Sequence, residues 1–589
     1  MTEPPIRERK RARNARKADD DPSEQSSKSP KAEQGSSTTI FYVVGAAFVG
    51  LVIYLFPEFV KTLLEPWIEF SEPTLPGYNP NLITDFSADV PKRDAIVEAF
   101  KHAWLAYERD AMGDDEYHPI SQKGTNLTAA GGIGYTVIDS MDTMILMGLT
   151  EETARAREWV ANNLSFERDA NFNTFETTIR VLGGLLSTYH LSKNDNLYLE
   201  KALELTNRMM PVFSTKTGLP LSNINLGQKI GVGDADNNNL VSTAEVATLQ
   251  LEFKYLSSVS DDDTYWKAVE RVMQLINSNH PTPRLASIFM NPDNGQFVTS
   301  DIRLGSRGDS FYEYLLKQYL QTSRTEDIYR QMYEESMEAI HQHLVKTSMT
   351  SHLIYTSELI PERGPDGDMT WRLTPKQDHL VCFLGGSLML GAVTTGALVD
   401  KVSVPPKHDE LSPTGRRDWK TGVELIHTCM ETHNTATGLA PEIVHFRIPS
   451  DKMDMGGIAP NDWYIKGARP GAYPPLDARY ILRPETIESL FIAYRLTADK
   501  RYRDSGWKIF QAIEKHCRIE TGGYASVINV DELPVRHEDK METFMMSETL
   551  KYLFLLFSDA SVIPLTDYVF NTEAHPLPVF VPSIRTGFA

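Results

Sequence analysis

The chain predicts an all-α fold, a ring of helical hairpins, and three features of the sequence carry that expectation. Apolar residues recur with helical spacing far more often than in strict alternation, as over 95–104, 244–256 and 549–557. Segments of one plan repeat: 180–192, 245–257 and 485–497 each open on a charged residue, carry an apolar body and end on Tyr, with Leu and then Ser or Thr close behind. Segments 309–322 and 548–559 are similar. Helices of one design spaced along 589 residues must bury their apolar stripes on one another, which favours hairpins closed into a ring.

The order along the chain begins with a basic end. Arg7, Arg9, Lys10, Arg11, Arg13, Arg16 and Lys17 face only Glu3 and Glu8, and the polar, Ser-rich stretch to Thr39 has too few apolar side chains to offset the entropy of ordering. Residues 1–39 are therefore expected to be a disordered tail. A basic arm for nucleic acid is the competing reading, and the net charge of -20 speaks against that partner, because polyphosphate binding needs a basic surface. Residues 40–56 hold no charge, and as a helix they rise roughly 25 Å, enough for a thin bilayer core. Tyr54 to Pro57 closes that run without the small residues of a cleavage site, so it reads as one uncleaved transmembrane helix, a signal anchor. Basic residues precede it and Glu58, Glu65, Glu69 and Glu72 follow, which puts the N-terminus in the cytosol and the rest in the lumen. The expected residence is the endoplasmic reticulum membrane, with the Golgi membrane as the second choice.

Five prolines (57, 66, 73, 76 and 80) mark 57–85 as a stem, 86–582 as the folded domain, and 583–589 as a C-terminal tail. Sequons at Asn126 and Asn163 are candidates for glycosylation in a lumen. Three cysteines, Cys382, Cys429 and Cys517, allow one disulfide, and counting alone leaves every pairing open.

The chemistry is expected at the helix openings. Parallel helices of a closed ring place their first residues at one end, where Glu176, Glu245, Asp309, Glu485 and Glu548 would converge. The plainer reading is that an acid in a first turn complements the helix dipole, for a few tenths to about 1 kcal/mol. All five, however, sit in apolar or aromatic surroundings.

Seven blocks in order then carry a family likeness: 138–143 (IDSMDT), 175–180 (FETTIR), 244–246 (AEV), 307–310 with 313–316 (RGDS, EYLL), 378–382 (DHLVC), 482–486 (LRPET) and 570–577 (FNTEAHPL). Over about 103–578 the chain resembles class I α-1,2-mannosidases, the inverting enzymes of glycoside hydrolase family forty-seven. The resemblance implies an (αα)7 barrel with a small β-hairpin plug after Asp559, and a Ca²⁺ ion at the bottom of a substrate funnel, touched by Thr572. Hard oxygen ligands and a flexible shell of roughly 6 to 8 of them suit that ion and a sugar diol. No EF-hand loop is present.

By the same resemblance Glu176 is the general acid, acting through a water, Glu485 the base, and Asp309 a third carboxylate with a share in the acid role. Inversion needs an acid and a base roughly 6.5 to 9.5 Å apart, and a close carboxylate cluster helps keep one member protonated. Arg180, Glu245, Arg483, Glu488, Phe544 and Glu548 match sugar-pocket positions, although Phe544 read alone could be core. Arg307 resembles the arginine of the endoplasmic-reticulum members and implies removal of a single mannose from a nine-mannose glycan. Cys382 and Cys429 match the family disulfide, leaving Cys517 a buried thiol. His379 reads equally as a core or a pocket histidine.

The implied activity is hydrolysis of terminal α-1,2-linked mannose from high-mannose N-glycans during glycoprotein maturation and quality control. A lectin-like, degradation-enhancing relative and a non-catalytic helical-repeat scaffold are the alternatives. Three departures stand out: the segment 126–132, Gly385 where family members often carry Pro, and 401–420, rich in Pro and charge and expected as a surface insertion.

Overall fold

The first helix shows how local sequence builds the ring. In α1 (Val90–Ala111) the Asp89 side chain accepts the N–H of Lys92 and a proline occupies the first turn. Ile96, Ala99, Phe100, Ala103, Trp104, Tyr107 and Ala111 then bury one stripe. The protein is described by a computed structural model over residues 74–76, 84–280, 284–448, 462–469 and 471–584. The predicted tail, the anchor at 40–56, most of the stem and residues 585–589 lie outside the described residues. Among the described residues no helix is long and apolar enough to cross a membrane.

Thirteen further helices of eight residues or more follow among the described residues: α2 (Tyr135–Leu146), α3 (Thr150–Asn162), α4 (Gly183–Leu191), α5 (Asn196–Met209), α6 (Gln250–Ser260), α7 (Asp263–Asn279), α8 (Asp309–Gln321), α9 (Asp327–His343), α10 (Phe383–Ala392), α11 (Pro413–Glu431), α12 (Glu485–Thr497), α13 (Lys500–His516) and α14 (Leu550–Phe557). Each even-numbered helix packs on the odd-numbered one after it, and α14 packs on α1. The even-numbered helices also neighbour one another in turn, and the π-helical turn Met545–Thr549 before α14 packs against α2 and completes the circuit. Their burial matches this inner place. α8 and α12 are buried on nearly every side, whereas α7 buries one stripe, Tyr265, Trp266, Val269, Val272, Met273 and Ile276.

Connections from inner to outer helices are short turns, except that between α10 and α11. Those that lead back into inner helices are long and hold small antiparallel sheets, such as Asn171–Asn173 with Asn223–Asn225 and Ile230–Val232. The last hairpin pairs Tyr568–Phe570 with Pro576–Pro578, Phe570 opposite Pro576, and lies against α4, α6 and α8.

α10 and α11 approach closely. A Cβ on Gly385 would lie 2.6 Å from Ile426 Cγ1, and one on Gly422 would lie 2.7 Å from the Gly385 carbonyl. The Cys382–Cys429 disulfide ties the same pair, and Cys517 is free and buried. The expected insertion at 401–420 is shorter than its composition suggests. α11 starts at Pro413 behind Ser412, whose hydroxyl accepts the Gly415 N–H, and Trp419 is only 1% exposed. Trp419 Nε1 donates to the Pro76 carbonyl at 3.0 Å and Leu75 is buried, so this part of the expected stem packs on the domain.

Candidate active site

The acids of the inner helices are aimed by unusual backbone. Asp309 opens α8 behind Arg307 at φ +72° and Gly308, where a Cβ would lie 2.2 Å from the Arg303 carbonyl. Glu485 opens α12 three residues after Leu482 at φ +71°, whose carbonyl accepts the Thr549 hydroxyl at 2.6 Å. A non-glycine residue in that region costs of order 1–3 kcal/mol and persists only where its surroundings fix it, a pattern common at functional sites. Arg180 and Glu548 ride on π-helical turns, Thr177–Leu182 and Met545–Thr549, another frequent mark of such sites.

These segments enclose a cavity of about 290 Å³. All eleven residues expected from the sequence for catalysis, sugar binding and metal line it: Glu176, Arg180, Glu245, Arg307, Asp309, Arg483, Glu485, Glu488, Phe544, Glu548 and Thr572. His379 does not. It is buried behind the site, its Nε2 3.0 Å from Thr486 Oγ1 and 3.9 Å from Glu485 Oε2. Glu313 and Glu573 line the cavity although no role was read for them. Both lie inside blocks quoted above, where Glu313 looks like the second acid of a helix and Glu573 like part of a turn.

Contacts fix the orientation of each group. Asn173 Oδ1 accepts the Glu176 N–H at 2.8 Å, Arg180 Nε donates to Glu176 Oε2 at 2.8 Å, and the Tyr135 hydroxyl reaches the same oxygen at 3.3 Å. Arg180 also donates to Thr543 and to Glu573. Arg483 holds both oxygens of Glu442, at 3.1 and 2.8 Å, and reaches Glu485 Oε1 at 3.4 Å. Glu485 Oε2 is buried with no hydrogen-bond partner. Phe544 lies 5.7 Å from each of the Arg180 and Arg483 guanidinium groups, which fixes its ring at the wall. Arg307 stands 3.7 Å from Glu245 and over the Phe289 ring.

Charge is one-sided: eight carboxyl groups and three guanidinium groups line the cavity. Burial pushes Asp309 and Glu485 up to about 7, with like charge nearby adding to it and, for Glu485, Arg483 opposing it. Burial likewise lifts Glu488 to about 8, against the pull of Lys317, and Glu548 well above the usual carboxylate range. Lys317, buried on α8, bonds Glu313 and stands 3.7 Å from Glu488. At the floor the Thr572 hydroxyl donates to Glu313 Oε2 at 2.8 Å, which commits its proton and leaves oxygen lone pairs for a hard cation. No group of three or more His, Cys, Asp or Glu among the described residues is arranged to hold a metal directly. Thr572 is the residue that would hold a cation here, and such an ion would offset the surplus of carboxylates.

Comparison with known proteins identifies the family. The family model described as glycosyl hydrolase family 47 matches residues 99–579. The mannosyl-oligosaccharide 1,2-alpha-mannosidase of Candida albicans is 44% identical over 496 residues, 82% of this chain and 83% of that protein. The endoplasmic reticulum mannosyl-oligosaccharide 1,2-alpha-mannosidase of Schizosaccharomyces pombe is 41% identical, over 85% of this chain and 91% of that protein. The structure of the alpha-1,2-mannosidase from Trichoderma reesei superposes with a TM-score of 0.72 at 27% identity, covering 84% of this chain and all of that one. A family match over most of the chain, and relatives this similar over more than four-fifths of it, show that the chain belongs to glycosyl hydrolase family 47.

Proposed function

We infer that the chain hydrolyses terminal α-1,2-linked mannose from high-mannose N-glycans. The carrying observation is that eleven residues from distant segments of a family 47 chain line one carboxylate-rich cavity. The pairing of inner and outer helices supports the (αα)7 barrel reading, with the hairpin ending at Pro578 as its plug.

The hydrolysis we propose is inverting. Glu485 is the general base: its unpartnered Oε2 takes a proton from a water whose oxygen attacks the anomeric carbon as the glycosidic C–O bond breaks. Glu176, oriented by Arg180 and Tyr135, is the acid that returns a proton to the leaving oxygen, through a water. Asp309 supports the acid side. Arg180, Glu245, Arg483, Glu488 and Glu548 hold sugar hydroxyls, and Phe544 stacks on a pyranose face. A Ca²⁺ ion held through Thr572 would bind vicinal hydroxyls and offset local negative charge. Arg307, which lines the cavity two residues before α8 and stands 3.7 Å from Glu245, is the group we propose restricts cleavage to one mannose.

Residence in the endoplasmic reticulum membrane, through the apolar run expected as an anchor at 40–56, belongs to the same reading, as does glycosylation at Asn126 and Asn163, both exposed. Incubating the full chain with a nine-mannose glycan and weighing the product tests it. Loss of one hexose is expected. An unchanged glycan would favour the lectin-like alternative, and loss of several would remove the role given to Arg307.

A further inference from the structure

Beneath the cavity, the hairpin tip carries buried charges that the hydrolytic scheme leaves idle. His575, Asp139, Asp142 and Lys551 are all 0% exposed. The His575 ring lies between two carboxylates, Nδ1 2.8 Å from Asp142 Oδ2 and Nε2 3.1 Å from Asp139 Oδ1. An ionised carboxylate can only accept, so both ring nitrogens must donate and the ring is an imidazolium. Burial works against that charge, but Asp142 and Asp139 outweigh it and hold the ring above the ordinary histidine range.

The surroundings complete a clamp. Lys551 Nζ lies 2.9 Å from Asp142 Oδ1 and donates to the Ala574 carbonyl at 2.8 Å, while Ser187 donates to Asp142 at 2.9 Å. Asp139 Oδ2 stands 3.7 Å from Arg180, the side chain that also holds Glu176 and Glu573. Within the tip, Asn571 Oδ1 accepts the N–H groups of Glu573 and His575, at 3.0 and 2.8 Å, and Nδ2 donates to Glu252 at 2.7 Å. Thr572 and Glu573 thus share one hydrogen-bonded turn with His575.

We propose that His575 is a positioning residue: seated between Asp139 and Asp142 of α2, it clamps the hairpin tip, so that Thr572 is presented to the cavity and Glu573 holds the Arg180 that orients Glu176. His575 itself does not line the cavity. One side chain outside the sugar site thereby sets the geometry of the metal half and the acid half together. The inference rests on the reading of Thr572 as a calcium ligand.

The test is calorimetric titration of calcium alone into the full-length protein and two variants, with melting temperatures measured beside it. His575→Gln, which is neutral and has one donor nitrogen in place of two, is expected to weaken calcium binding about tenfold or more, the loss usual for supporting residues around a metal. Ser187→Ala, which removes one hydrogen bond to Asp142, is expected to give a smaller loss while still folding, and it decides the matter if His575→Gln does not fold. A merely structural role would lower melting temperature and leave calcium affinity untouched. Unchanged affinity in Ser187→Ala, or in a folded His575→Gln, overturns the proposal. Failure of the wild type to bind calcium would overturn the metal reading beneath it instead.

Discussion

Three outer helices of the ring begin in the opposite way from inner α8 and α12. Outer α5, α7 and α13 start behind Asp195, Asp262 and Asp499, whose carboxylates accept the N–H groups of Leu197, Thr264 and Arg501. Each acid closes a helix end and lies outside the cavity. Inner α8 and α12 start behind Gly308 and Pro484, which offer no side-chain cap, and their acids occupy the first helical position and point into the cavity. Hydrogen bonds from Arg157 and Thr264 hold Asp195 and Asp262 below the usual carboxylate range, whereas burial pushes Asp309 and Glu485 up to about 7. An acid at a helix start is thus a cap or a candidate catalyst according to whether it precedes the helix or occupies its first position facing the cavity.

The contrast can be broken most forcefully at the inner end. Chelating calcium is expected to abolish turnover and lower the melting temperature, and full activity in excess chelator would remove the ion from the inner acids' account. A smaller effect concerns pH. The inner carboxyls titrate near 4 to 4.5 when unfolded, but near 7 for Asp309 and Glu485 and near 8 for Glu488 when folded and metal-free. The folded state therefore holds more protons in that window, so stability present below about 4.5 is lost as pH rises through about 8. Chelator-treated protein should melt at falling temperature from pH 4.5 to 8, and calcium should flatten the fall. A flat profile without calcium would mean that the inner acids ionise freely. The smallest effect lies at the outer end: Asp195→Ala is expected to cost about 1 kcal/mol in denaturant unfolding and leave the rate unchanged.

Much of this division was legible in the sequence, though unevenly. The eleven expected residues could be named because ordered blocks tie the chain to a family, and the structure brings all of them to one cavity. Glu313 and Glu573 escaped because an acid on a helix or in a turn has a ready structural role, and only the fold shows that their carboxyls reach Lys317, Thr572 and Arg180. Strands of two or three residues, such as Val241–Ser242, are too short for alternation to register. The start of α11 was hidden by the Pro and charge of its first turns, although Trp419, Gly422, Ile426 and Cys429 keep helical spacing and are all buried. His379 was left between two roles because a buried pocket wall and a core look alike in sequence.

The most direct test uses one hairpin, α12 with α13, which holds an acid of each kind. Rates on a nine-mannose glycan and melting temperatures would be measured for Glu485→Gln and Asp499→Ala together. The account predicts that the first loses at least about 100-fold in rate and keeps its stability, while the second keeps its rate and melts lower. Near wild-type hydrolysis by Glu485→Gln, or an equal loss of rate in both, would contradict it.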